Sequence, residues 1–281
     1  MVERRGWRMH ALRLWLPLGF FLLFELFPFY WMAVTSLKPN QELYNARIMP
    51  LVVYHPTLEH YIGLITKTNF FGWTFNTLLV ATVTTMVSLV FGAMAAYPLA
   101  RMNFPGAGLI ALAIAATYLV PQTLLFIPMA DLINRLGLVN TLASVMLTYP
   151  TFLIPFCAWL LMGYFRTVPT ELEDAARIDG ASRFVAMVRI VLPLCIPGLL
   201  SAGIFSFTLS QNEFLYALIF LNKSDIRTVP VAAIAELIRG DVFYWGQLMA
   251  AALLGSVPVA VIYSFFVEHY VAGLTAGAVK G

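Results

Sequence analysis

Long apolar blocks run through this chain, and they leave it few folds to choose from. LWLPLGFFLLFELFPFYWMAVTS opens the series at 14–36. A helix needs about 20 apolar residues to cross a bilayer. Blocks at about 73–99, 109–132, 142–165, 196–221 and 245–267 are also long enough. Their residues do not alternate in and out, as the strands of a membrane barrel would. Six spans are therefore expected in an all-α, polytopic membrane protein, one transmembrane domain over 1–281. A mean hydropathy of +0.82 and a hydrophobic fraction of 60% agree, since a soluble domain is about half apolar. Prolines such as Pro98, Pro121, Pro155 and Pro258 lie in or beside the blocks, where neighbouring helices can satisfy the carbonyls that proline frees.

Charge placement sets the orientation. Arg4, Arg5, Arg8 and Arg13 precede the first span, and only Lys38 follows it closely. The positive-inside rule then puts both termini in the cytoplasm. The long segment 39–72 and the segment 222–244, which includes VPVAAIAELIRG, fall outside; the latter reads as a short surface helix. Cys157 and Cys195 sit inside apolar blocks and read as small buried hydrophobes. The histidines are scattered without ligand spacing, so no metal site is expected. A net charge of +3 gives no reason to expect a nucleic-acid partner.

One charged island breaks the pattern. ELEDAARIDGASRFVAMVRIVLP runs from Glu171 to Pro193. Pro169 bars continuation of the fourth span, and Thr170 with Glu173 has the spacing of a capping box. A short helix is expected from Glu171, with Leu172, Ala175 and Ala176 on one small apolar face. Asp179-Gly180 should end it, because glycine accepts the left-handed turn of a helix stop. Ser182 can cap the next helix. A solvated loop does not need two alanines and a glycine, so this helix reads as a docking element for a soluble partner.

The island resembles the E-A-A, glycine, I-x-L-P loop of permease subunits of ABC importers. It reads here as Asp174-Ala175-Ala176, Asp179-Gly180-Ala181 and Ile190-Val191-Leu192-Pro193. TSLKP, AAYPLARMNFPG, RLGLVNT and the terminal GLTAGAVKG fit the carbohydrate, MalG-like branch of that family. Asp174 stands where the family usually has glutamate.

The resemblance implies the MetI-like permease fold in a bacterial or archaeal inner membrane. It implies three kinds of neighbour besides lipid: a homologous permease, two ATP-binding subunits and an extracytoplasmic solute-binding protein. It also makes Glu173, Asp174, Ala175, Ala176, Arg177, Asp179 and Gly180 the coupling segment, within a loop at about 169–193. That segment would sit in a groove of the ATPase, with Asp174 on a cation. The tail would reach between the ATPase subunits.

No G-x-x-x-x-G-K-[ST] occurs; Gly273 to Lys280 has the wrong spacing. The chain is thus expected to be a transport subunit rather than an enzyme, with no cofactor of its own and with ATP and Mg on the partner.

Ser210-Gln211-Asn212-Glu213 interrupts the fifth block. Polar residues at that depth must face a helix or an aqueous cavity. Gln211, Asn212, Glu213 and Tyr216 are the candidates for a solute pathway, with an inter-helix hydrogen-bond network as the plain alternative. Gln211 stands where related permeases carry tryptophan. Pro121-Gln122-Thr123 is a second polar break, read as structural. A sugar is the expected solute, with glycerol-phosphate or another polar solute as the alternative. An ion-coupled carrier is a further rival, and it would draw on Glu25 and Glu213 as its ionisable groups.

Overall fold

The computed structural model describes the backbone of residues 3–240 and 242–278, and the side chains of 13–238, 240 and 242–266. Helices α1 (Glu3–Leu37), α2 (Asn40–Leu43) and α3 (Glu59–Lys67) come first. Then follow α4 (Phe70–Arg101), α5 (Ala107–Tyr118), α6 (Gln122–Arg135), α7 (Leu142–Thr148) and α8 (Pro150–Phe165). The charged island holds α9 (Thr170–Ile178) and α10 (Arg183–Ala186), then a π-helical turn at Met187–Val191 and α11 (Leu192–Leu194). The chain continues with α12 (Ile196–Gln211), α13 (Leu215–Phe220), a 3₁₀ turn at Ser224–Ile226, α14 (Val229–Leu237) and α15 (Trp245–Ala278). Among the described residues the only strands are the pair β1 (Ile238–Arg239) and β2 (Val242–Phe243).

Four of the expected spans coincide with helical stretches long and apolar enough to cross a membrane: Arg13–Leu37, Phe70–Arg101, Leu142–Phe165 and Trp245–Phe266. The other two are broken. The block at 109–132 is α5 and α6, bent by 91° at Leu119–Pro121. Proline at 121 supplies no N–H and starts a new helix. Neither piece alone, at about 1.5 Å per residue, reaches the thickness of the apolar core. The block at 196–221 is likewise not one helix. It ends at Gln211 and restarts at Leu215, while at its other end it joins Arg183–Leu194 through a 79° bend at Cys195. Pro193 and Pro197 flank that bend.

Two compact units arise from the chain: residues 1–70 with 233–257, and residues 71–232 with 258–281. In the first, the expected outer loop is folded rather than loose. Lys38 Nζ donates to the carbonyls of Met49 and Pro50 at 2.9 and 2.8 Å. Glu42 accepts the backbone N–H groups of Tyr54 and His55 and meets the His55 ring. Desolvation pushes the Glu42 carboxyl up, but these bonds outweigh it and hold it below the usual carboxylate range. The buried His60 ring bonds the Lys38 carbonyl at 2.8 Å.

The second unit carries two apolar clusters. One gathers Tyr97, Cys157, Leu161, Phe165, Val191 and Ala202; the other gathers Val80, Tyr149, Leu153, Tyr216 and Phe220. Both cysteines are buried and free, as expected from their apolar surroundings. α14 forms where a surface helix was expected, but Val231, Ala232 and Leu237 are buried, so only part of it faces outward.

α4 and α8 approach closely at Gly92, where an added methyl carbon would lie 2.5 Å from the Cys157 Cβ. Small residues permit such approaches between membrane helices. Gly92→Ala should therefore lower stability by about 1–3 kcal/mol, the usual cost of overpacking. Gly108→Ala, which meets nothing within 4 Å, serves as the control. Thermal unfolding in detergent reads both, and an unchanged Gly92→Ala would refute the close contact.

Candidate coupling site

α9 is built by its ends. Pro169 occupies the N-cap position, and no side chain caps the helix. The capping box expected from Thr170 and Glu173 is not formed. Thr170 is the first helical residue, and the Glu173 carboxylate goes elsewhere. Its Oε2 accepts the Tyr97 hydroxyl at 2.7 Å. Its Oε1 lies 2.8 Å from Arg101 Nε, an ion pair rather than an aligned hydrogen bond. A buried guanidinium attracts a carboxylate more strongly than a backbone N–H does. Both partners are nearly covered, at 6% and 10% side-chain exposure. Arg101 also donates through Nη2 to the Val168 carbonyl at 2.6 Å. One guanidinium thus holds the turn before α9 and the inner face of α9 together.

The other end matches expectation. Gly180 has φ +90°. Its N–H bonds the Arg177 carbonyl, and the Ala181 N–H reaches back to Ala176 at 2.9 Å. These two bonds make a Schellman stop. Ser182 then accepts the Val185 N–H and starts α10.

This anchoring divides α9 into two faces. Glu173 is buried and Ala176 half-buried; Glu171, Leu172, Asp174, Ala175, Arg177, Ile178, Asp179 and Gly180 are exposed. The coupling residues expected from the sequence are therefore not one surface. Glu173 faces the chain's own body, whereas Asp174, Ala175 and Asp179 face away. Ile178 is 87% exposed, a large apolar side chain that the sequence reading passed over. Asp174 has Arg177 only 3.6 Å away, but both side chains stand about half exposed or more. Such a pair is worth under about 1 kcal/mol, so the Asp174 charge remains open to a stronger partner. Beside the Gly180 turn, Ala176, Ser182, Val185 and Arg189 help line a cavity of about 690 Å³.

Arg101 and Tyr97 were missed as site residues. The available signal was an i, i+4 tyrosine–arginine pair at the end of a span, level with an acidic loop.

The second candidate region is assembled differently. Ser210 Oγ meets Thr84 Oγ1 at 2.9 Å. Glu213 accepts the backbone N–H groups of Tyr216 and Ala217 at 2.9 and 3.2 Å, so it caps α13. Tyr216 is fully buried, with its ring between Phe152 and Phe220, and it donates to the Gln122 carbonyl at 3.2 Å. The two polar breaks thus touch through Tyr216 and Gln122. Gln211 is also buried. Of the four candidates only Asn212 is exposed, with its amide on the Thr208 carbonyl. Glu25 stands exposed on α1. The tail residues Gly273 to Gly281 lie outside the described side chains.

Residues 61–275 match the family described as "Binding-protein-dependent transport system inner membrane component", and the chain belongs to that family. It is a multi-pass transport subunit. The trehalose/maltose transport system permease protein MalG of Thermococcus litoralis is 35% identical over 259 residues, 91% of this chain and 92% of that one. The sulfoquinovosyl glycerol transport system permease protein SmoH of Agrobacterium fabrum is 36% identical over 257 residues, 91% and 89%. The fold resembles a chain of a bacterial ABC transporter involved in import of the polysaccharide alginate. That match has a TM-score of 0.76 and 20% identity, and covers 95% of this chain and 98% of that one.

Replacing the two neighbours in the α12–α13 break should separate their roles. Glu213→Leu removes a cap and should cost about 1–2 kcal/mol; Asn212→Leu should stay within about 0.5 kcal/mol. Thermal unfolding in detergent distinguishes them. Equal losses would show that Asn212 too is structural.

Proposed function

We propose that this chain forms half of the translocation pathway of a carbohydrate importer driven by a separate ATPase. The partners would be a homologous permease, two ATP-binding subunits carrying ATP and Mg, and an extracytoplasmic solute-binding protein. The observation that carries the reading is the outer face of α9. It presents a carboxylate, two small residues and the exposed Ile178, on a helix fixed at both ends. A face of this kind fits a groove with a cation at its wall. Carbohydrate as the solute is supported by the named solutes of the relatives above.

α9 and both termini lie in the cytoplasm in this reading, supported by the arginines before α1. The pairing of segments agrees with the count of six crossings. The end of the second span, Arg101, touches the segment after the fourth. The start of the second span, at Trp73 and Asn76, touches the segment after the fifth. Six crossings require the first two on one side and the second two on the other. Of the pathway candidates, Asn212 is the residue offered to a solute. Glu213 and Tyr216 hold the wall in shape.

The test is assembly with the cognate ATPase. A carboxylate desolvated against a cation strands that cation when removed, at a cost of about 2–5 kcal/mol. Asp174→Ala should therefore lower co-purified ATPase by at least tenfold, since about 1.4 kcal/mol is one decade. Asp174→Glu should be tolerated. Gly180→Ala meets no side chain but strains the left-handed turn by about 1 kcal/mol, and should weaken assembly less. Full ATPase binding by Asp174→Ala and Gly180→Ala together would remove the coupling assignment.

A further inference from the structure

We propose that α4 is a strut that carries movement of α9 across the chain to the 224–229 segment. Arg101, Tyr97 and Glu173 act as positioning residues at one end. The proposal rests on the coupling reading above and adds the route by which a push on α9 is relayed.

α4 has 32 residues and, at about 1.5 Å each, spans about 48 Å without a break. Its only internal proline, Pro98, lies in the last turns. Side chains from both of its ends grip short segments that have little structure of their own. At the first, Tyr97 and Arg101 take both oxygens of Glu173, and Arg101 also takes the Val168 carbonyl. If α9 moved and α4 stayed, a buried guanidinium and a buried carboxylate would separate, and each would be left unpaired away from water. Moving together avoids that, so the pair fixes position whatever its net worth to stability.

At the other end, Trp73 Nε1 donates to the Ser224 carbonyl at 2.8 Å. Asn76 Nδ2 donates to the carbonyls of Asp225 and Arg227 at 3.0 and 3.1 Å. The Val229 N–H donates to Thr77 Oγ1 at 2.8 Å. The segment is a single 3₁₀ turn leading into α14, so these bonds define its place. Between the ends, Thr84 bonds Ser210 just before the α12–α13 break. A rigid helix gripped this way can shift the break and the far segment when α9 shifts. Spatial connection alone is a weak warrant for a coupling route, so the test must read motion at the far end.

A single cysteine at Ser224, whose side chain is exposed, is introduced with Cys157→Ala and Cys195→Ala. The chain is assembled with its cognate subunits in lipid nanodiscs. Labelling by a membrane-impermeant maleimide is timed with and without ATP plus vanadate. The clamp-intact complex should change its labelling rate on adding ATP and vanadate. Glu173→Gln should lose that change; Tyr97→Phe, which leaves the Arg101–Glu173 pair in place, should reduce it while retaining bound ATPase. Tyr97→Phe removes one hydroxyl and decides the matter if Glu173→Gln fails to assemble. A full labelling change in Tyr97→Phe and in any assembled Glu173→Gln overturns the strut, as does no ATP-dependent change in the clamp-intact complex. Failure of that complex to bind ATPase overturns the coupling reading and the strut with it.

Discussion

The pairing of Arg101 with Glu173 is the constraint on which the orientation of α9 in this permease depends. A nine-residue helix has little stability of its own, because its termini leave many backbone groups unmatched. The Schellman stop at Gly180 satisfies one end. At the other end no side chain caps the helix, and the guanidinium holds it through the Val168 carbonyl and the Glu173 carboxylate. A buried ion pair adds little net stability, but breaking it strands a charge at a cost of about 3–5 kcal/mol. Its consequence is directional. With Glu173 turned inward, Asp174, Ala175 and Ile178 must turn outward.

The same logic runs through the membrane part. Where the apolar blocks break, the freed polar groups are matched inside the chain. Glu213 takes two backbone N–H groups at the start of α13, and the Tyr216 hydroxyl takes the Gln122 carbonyl beside the Pro121 bend. These contacts give the Glu213 carboxylate a structural role at a helix end. They leave Asn212 as the exposed polar group at the break.

What could be read from the sequence was what depends on local pattern. Four long apolar helical stretches fall within a few residues of the expected blocks, because length and hydropathy alone set them. Gly180 and Ser182 were legible because helix stops and caps follow local rules. The bends at Pro121 and Cys195 were not, because a proline in an apolar block permits a straight helix or a break, and packing decides which. The capping box failed for a similar reason. Thr170 and Glu173 have the right spacing, but a guanidinium 72 residues earlier competes for the same carboxylate, and local reading cannot see it. Ile178 was overlooked because an isoleucine is ordinarily read as buried.

The central claim is that α9 has an inner face bound to α4 and an outer face given to a partner ATPase. Photo-cross-linking from a benzophenone side chain at position 178 tests it most directly, in the assembled complex. The account predicts an adduct between this chain and the ATPase subunit. An intact complex that yields no such adduct from position 178 would contradict it.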